Sequence, residues 1–198
     1  MNLPNKLTFA RLILIPFFMV AFYMNFTGHY LVSLAIFAIA AATDFFDGRI
    51  ARKKNLITDL GKFLDPIADK VLVLAAFVVL LSDPYDTNIF KHFGDGYLIF
   101  GGVGVVIIIA RELTVSTLRM MAARKGIVLA AENIGKAKTF VTDIAVIVLI
   151  FAGDFYALQP ELGNIATIVG LVLFGASVIL TLISGISYLV KNAEVFKD

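Results

Sequence analysis

Four aspartates, Asp44, Asp47, Asp65 and Asp69, fall within 26 residues of this chain, in the stretch DFFDGRIARKKNLITDLGKFLDPIAD. Asp44 and Asp47 are three apart and Asp65 and Asp69 four apart, so each pair can share one face of a helix. Left unneutralised, four carboxylates this close would repel one another and take up protons. One or two divalent cations remove that problem. Oxygen-only ligands suit Mg2+ or Mn2+, which hold phosphate groups alongside a few carboxylates. Two such ions clamp the attacking and leaving oxygens of a phosphoryl transfer. Gly48 and Ala51 follow Asp47 by one residue and by one turn, and Gly61 precedes Asp65 by one turn. Small residues there leave room for a nucleotide, with Arg52 beside them to meet a diphosphate. The competing reading is a set of solvated helix-end carboxylates balanced by Arg49, Arg52, Lys53 and Lys54. It serves for any single Asp but poorly for four in register with two glycines.

The elements that must position these acids are long and apolar. The chain has 198 residues, 60% hydrophobic and only 16% charged, with a mean hydropathy of +0.91. A soluble domain of this length is about half apolar and a quarter charged. Here the excess is gathered into blocks of membrane-spanning length. Six spans are expected, at 7–26, 30–52, 58–81, 97–121, 134–152 and 165–190, in one all-α membrane domain covering 1–198. Pro4 predicts a short N-terminal helix on the membrane surface before the first span. Lys6 and Arg11 ahead of an apolar run mimic a signal peptide, but five further spans favour a retained first span. The chain has no cysteine, so neither disulfides nor thiolate chemistry enter.

Charge sets the expected orientation. With six spans both termini share a side, and on that side fall Lys6, Arg11, Arg49, Arg52, Lys53, Lys54, Lys62, Arg124, Lys125, Lys136, Lys138, Lys191 and Lys197. The opposite loops, near 82–96 and 153–164, hold Lys91 alone among Lys and Arg and carry Asp83, Asp86, Asp95, Asp154 and Glu161. The positive-inside rule therefore puts the termini and the four aspartates at the cytoplasmic face of a plasma-membrane protein. The basic face suits anionic headgroups and phosphate substrates, and no nucleic-acid partner is expected. His29 and His92 read as solvated loop residues, and Tyr30, Tyr97 and Tyr188 as markers of the membrane interfaces.

Written as D-x-x-D-G-x-x-A-R-x(8)-G-x-x-x-D-x-x-x-D, the acidic stretch resembles the signature of the CDP-alcohol phosphatidyltransferase family at every fixed position. The resemblance implies a six-helix membrane bundle, a homodimer, and a cytoplasm-facing cavity with two divalent ions. Asp44, Asp47, Asp65 and Asp69 then look like the metal ligands, and Asp69 like the general base that accepts the proton of an attacking hydroxyl. Thr8, Asp44, Gly48, Ala51, Arg52 and Gly61 look like the CDP-binding side.

Three further stretches resemble the phosphatidylglycerophosphate synthase branch of that family. They are Asn5, Thr8 and Arg11 spaced N-x-x-T-x-x-R, IARELTVSTLR at 109–119, and GKAKT at 135–139. This branch implies CDP-diacylglycerol as donor and glycerol 3-phosphate as acceptor. Many relatives carry Gln three residues after the Thr of GKxKT, where this chain has Thr142. A dianionic acceptor needs a basic pocket, and Arg111, Arg119, Lys136 and Lys138 are its candidates. Arg111 can instead form a structural ion pair, with Glu112 or an aspartate, and Arg119, Lys136 and Lys138 can serve as membrane anchors or headgroup contacts. The rivals at the level of activity are a family member with another acceptor (inositol phosphate, serine or phosphatidylglycerol), an intramembrane prenyltransferase, and an ion-coupled transporter. A prenyltransferase would need acidic motifs on distant helices, and a transporter would show repeats or broken helices near the midplane.

Overall fold

The computed structural model describes residues 3–53, 59–84, 94–127, 129 and 133–196, with the side chains of 44–53 outside the described residues. Within them the chain is helical, with no strand. The helices are α1 (Leu3–Tyr23), α2 (His29–Lys53), α3 (Asp59–Leu81), α4 (Asp95–Arg124), α5 (Asn133–Leu158) and α6 (Pro160–Lys191), followed by a short 3-10 turn, Ala193–Phe196. Four of them are long and apolar enough to cross a membrane, over Asn5–Tyr23, Leu98–Arg124, Ile134–Tyr156 and Pro160–Lys191. α2 contributes a shorter apolar stretch, His29–Thr43. α3 carries Asp65, Asp69 and Lys70 in its first half, as befits a helix that turns polar groups toward a site. The architecture is that of an all-α polytopic membrane protein.

Helix order alternates up and down, and hydrogen bonds at one end of the bundle show it. Tyr23, the last residue of α1, and Ser82, just beyond α3, share a hydrogen bond of 2.6 Å between their hydroxyls. Tyr30 in the first turn of α2 donates its phenol to buried Asp83 at 2.7 Å. The backbone N–H of Leu31 donates to Asp154 of α5 at 2.5 Å. That N–H is one of the four that a helix start cannot satisfy internally, and a carboxylate there also complements the helix dipole. Thus Asp83 and Asp154, expected as loop acids, tie helix ends together. His29 is buried as the first residue of α2, its Nδ1 2.8 Å from the carbonyl of Phe22, so it is no solvated loop residue. Tyr30 and Tyr188 are likewise buried within the protein rather than facing lipid. His92 and the side chain of Tyr97 lie outside the described residues.

Two expectations about boundaries change. Among the described residues the expected surface helix and the first span are one helix. Pro4 sits in the first turn of α1, where its missing N–H costs nothing, and the helix runs on unbroken to Tyr23. The loop expected near 153–164 is reduced to Gln159, because α5 continues to Leu158 and α6 starts at Pro160. Gln159 is extended (φ −147°), with Pro160 and Glu161 supplying the starting turn of α6. Gly163 makes so short a joint possible: a Cβ there would stand 2.5 Å from the Cα of Tyr156.

The core is aromatic. Phe18, Phe22, Phe37, Phe77 and Phe174 are fully or almost fully buried, while Phe9, Phe17 and Phe140 face outward. The Phe18 and Phe37 rings lie 5.6 Å apart, linking α1 to α2, and the Phe77 and Phe174 rings 5.5 Å apart, linking α3 to α6. Gly104 admits the Phe174 ring, 2.6 Å from where a Cβ would be, whereas the corresponding position at Gly102 meets nothing within 4 Å.

Gly163→Ala is therefore expected to destabilise the fold by roughly 1–3 kcal/mol, since its neighbour is backbone and cannot rotate away. Gly102→Ala, with open space at its Cβ position, serves as the control and should not lower stability. Thermal unfolding of the two variants in detergent, against the unaltered protein, checks both outcomes.

Candidate active site

The first turns of α1 face inward. Asn5, Thr8 and Arg11 are all buried, Thr8 and Arg11 completely. Thr8 Oγ1 donates to Asp65 Oδ1 at 2.5 Å, joining α1 to the start of α3. Arg11 Nε donates to Thr43 Oγ1 at 3.2 Å, and that hydroxyl donates in turn to the carbonyl of Ala40 at 2.6 Å. Arg11 thus meets α2 at the residue just before Asp44. A guanidinium withdrawn from water so completely is costly unless it is hydrogen-bonded and balanced by charge. From sequence Arg11 counted only as a cytoplasmic charge and as the last residue of N-x-x-T-x-x-R. Its spacing of three from Thr8, itself three from Asn5, was the available sign that it shares their inward face.

Asp65 and Asp69 lie one helical turn apart on α3 and are both partly buried. Asp65 receives the Thr8 hydroxyl, which fixes one of its oxygens. Pro66 stands between them inside the helix. Lys70, adjacent to Asp69, donates to the carbonyl of Pro66 at 3.0 Å and so folds back along its own helix. Gly61 is buried one turn before Asp65. Asp44, Asp47, Gly48, Ala51 and Arg52 belong to the last turns of α2, but their side chains lie outside the described residues. Among the described residues no three acidic or histidine side chains form a group. The described donors, two carboxylates one turn apart with a neighbouring hydroxyl, are hard oxygen atoms, and that chemistry fits a hard divalent cation.

A second polar cluster joins α4 and α5. Arg111 NH1 donates to Glu112 Oε1 at 2.9 Å, and the Lys138 ammonium donates to the same oxygen. Lys138 is buried and Arg111 nearly so. Two glycines let Arg111 through. A Cβ on Gly135 of α5 would sit 3.2 Å from Arg111 NH2, and one on Gly185 of α6 would sit 3.0 Å from its Cγ. Arg111 Nε is buried with no hydrogen-bond partner among the described residues. Beside it a cavity of about 250 Å3 opens between α4 and α6, walled by Ile107, Val115, Leu182 and Ile186 among others. Thr142, at the position where Gln was the alternative, is buried and donates to the carbonyl of Lys138 at 2.9 Å.

Of the basic candidates, then, Arg111 and Lys138 are brought together by Glu112. Arg119 is placed elsewhere: its Nε donates to the Tyr188 hydroxyl at 3.0 Å, with the guanidinium carbon 5.4 Å from that ring's centre. Lys136 is exposed in the first turn of α5. Glu112 had no role of its own in the sequence beyond that of a possible partner for Arg111. The sign was an Arg–Glu pair inside an apolar stretch, where neither charge is tolerated without company.

Comparison with known proteins agrees with this organisation. The family model for CDP-alcohol phosphatidyltransferase matches residues 1–184. A curated relative from Bacillus subtilis (strain 168), named CDP-diacylglycerol–glycerol-3-phosphate 3-phosphatidyltransferase, is 38% identical over 99% of this chain and 97% of its own length. Relatives of the same name from Rickettsia felis and Salmonella typhimurium are 36% and 37% identical, over 94% and 95% of this chain and 93% of their own lengths. With the acidic signature on α2 and α3 and a family match spanning nearly all of its length, the chain belongs to the CDP-alcohol phosphatidyltransferase family.

Proposed function

We propose that this protein transfers the phosphatidyl group of CDP-diacylglycerol to glycerol 3-phosphate, releasing CMP. The observation that carries the reading is the near full-length similarity to three relatives named for that reaction, in a chain whose acidic signature is complete. The two polar clusters support a division of labour. Asp65, held by Thr8 and one turn after Gly61 on α3, belongs to the donor side. Arg111 and Lys138, which meet on Glu112, belong to the acceptor phosphate.

The reaction follows from these roles. The C1 hydroxyl of glycerol 3-phosphate attacks the β-phosphorus of CDP-diacylglycerol, the bond from that phosphorus to the bridging oxygen breaks, and CMP departs with the electron pair. Asp69 accepts the hydroxyl proton. Gly48, Ala51 and Gly61 leave space for the nucleotide, and Arg52 meets its diphosphate. A divalent ion held by Asp44, Asp47, Asp65 and Asp69 would supply positive charge against the charge that builds on the phosphate oxygens. Arg111 and Lys138 orient the acceptor by its phosphate and so hold its hydroxyl in line. The acyl chains of the donor stay in the bilayer, which suits a protein whose outer surface is rich in exposed Phe, Ile, Leu and Val. The bias of Lys and Arg toward one side puts the site and both termini at the cytoplasmic face of the plasma membrane. The working form is a homodimer, as the family resemblance implies.

Asp69→Asn is expected to lower turnover by about 100-fold or more, the usual scale for loss of a general base, while the purified protein keeps its thermal stability. CMP release in mixed micelles of CDP-diacylglycerol measures it, and substantial residual activity would remove Asp69 from that role. Chelation with EDTA should abolish CMP release, and Mg2+ or Mn2+ should restore it where Ca2+ does not. Replacing glycerol 3-phosphate with serine, inositol phosphate or phosphatidylglycerol should give no product, and turnover with one of these instead would reassign the acceptor.

A further inference from the structure

Among the described residues, Glu112 is the carboxylate found between the two cations assigned to the acceptor, and that assignment gives it no function. It lies within the apolar stretch Leu98–Arg124, where an acid is costly to keep ionised. Its single oxygen Oε1 accepts from Arg111 on its own helix and from Lys138 on α5. We infer that Glu112 is a positioning residue for the acceptor: it holds a guanidinium and an ammonium from two helices at one spot, so that together they receive a phosphate. The inference rests on the reading of Arg111 and Lys138 as the acceptor's phosphate site.

Charge and geometry support it. Without Glu112, two buried cations would face each other between α4 and α5 and repel, and Lys138, only 4% exposed, would swing toward water. With Glu112 present the three groups carry a net single positive charge, which still attracts a dianion. The bridge leaves donors unused. Arg111 binds Glu112 through NH1, its Nε is buried without a partner among the described residues, and its NH2 lies against the gap left by Gly135. A planar guanidinium presents two parallel N–H groups along that remaining edge, the arrangement that matches two phosphate oxygens. Glu112 itself repels a phosphate, so it acts through its neighbours and does not touch the substrate.

Steady-state kinetics of the full-length enzyme tests this. Glu112→Gln keeps the side chain's size and loses its charge. It is expected to raise KM for glycerol 3-phosphate about tenfold or more, with KM for CDP-diacylglycerol changed less than about twofold. Glu112→Asp, which keeps the charge on a shorter arm, should fall between the two. Lys138→Met should also raise the acceptor KM, and Glu112→Gln combined with Lys138→Met should raise it by clearly less than the product of the single effects. Equal rises in both KM values, a loss confined to kcat, or strictly multiplicative effects would overturn the role of Glu112. If Glu112→Gln does not fold, an unchanged acceptor KM in Glu112→Asp overturns it as well. If Lys138→Met leaves the acceptor KM unchanged, the acceptor site itself is misplaced and the inference falls with it. If only the Glu112 variants leave it unchanged, the acceptor site stands and Glu112 does not position it.

Discussion

Charge withdrawn from water inside an apolar bundle needs a partner, and the helix that bears it can rarely provide one alone. That constraint organises this molecule. Arg11, fully buried on α1, reaches Thr43 on α2, and Thr8, fully buried one turn earlier, reaches Asp65 on α3. Lys138 on α5 reaches Glu112 on α4, which already holds Arg111. These polar side chains, which a membrane would penalise, become ties between helices. On the proposed function, the same ties put acids and cations where a phosphate substrate can use them.

The two ends of the bundle treat this constraint differently. At one end, Tyr23, Tyr30, Ser82, Asp83 and Asp154 settle their polar groups among themselves and with the start of α2. Gly153 lets the Tyr30 ring lie flush on α5, since a Cβ there would stand 2.6 Å from it. That end is closed by neutral donors on carboxylates. At the other end the donors are Arg and Lys, and the buried Nε–H of Arg111 has no partner among the described residues. An unmet donor inside a protein costs free energy in the absence of ligand. The proposed acceptor site would recover that cost when an anion arrives.

Much of this was readable in the amino-acid order. Long apolar blocks gave the helices, and the fixed spacing of aspartates and small residues pointed to the family. What periodicity could not convey was who meets whom. Arg11 counts toward the positive side whether it lies in water or, as here, fully enclosed. His29 and Asp154 look like loop residues until the one is found on a carbonyl at the end of α1 and the other on an N–H at the start of α2. The α5–α6 joint looked like a loop because Gly153, Asp154, Pro160 and Gly163 usually break helices. Here Pro160 opens a helix and Gly163 serves a close crossing. Arg119 lies two turns from Arg111 along one helix, yet it bonds to Tyr188 of α6, away from Glu112. The α2 half of the acidic motif, Asp44 to Arg52, lies outside the described side chains, so its part in the site rests on sequence.

The central claim is that carboxylates from the end of α2 and the start of α3 share divalent ions with the diphosphate of the donor. Anomalous scattering from crystals grown with Mn2+ and CDP tests it most directly. The account predicts manganese peaks bonded to Asp65 and Asp69 and to carboxylates of α2, with the CDP phosphates completing the coordination. Peaks bound elsewhere, or CDP seated away from these aspartates, would contradict it.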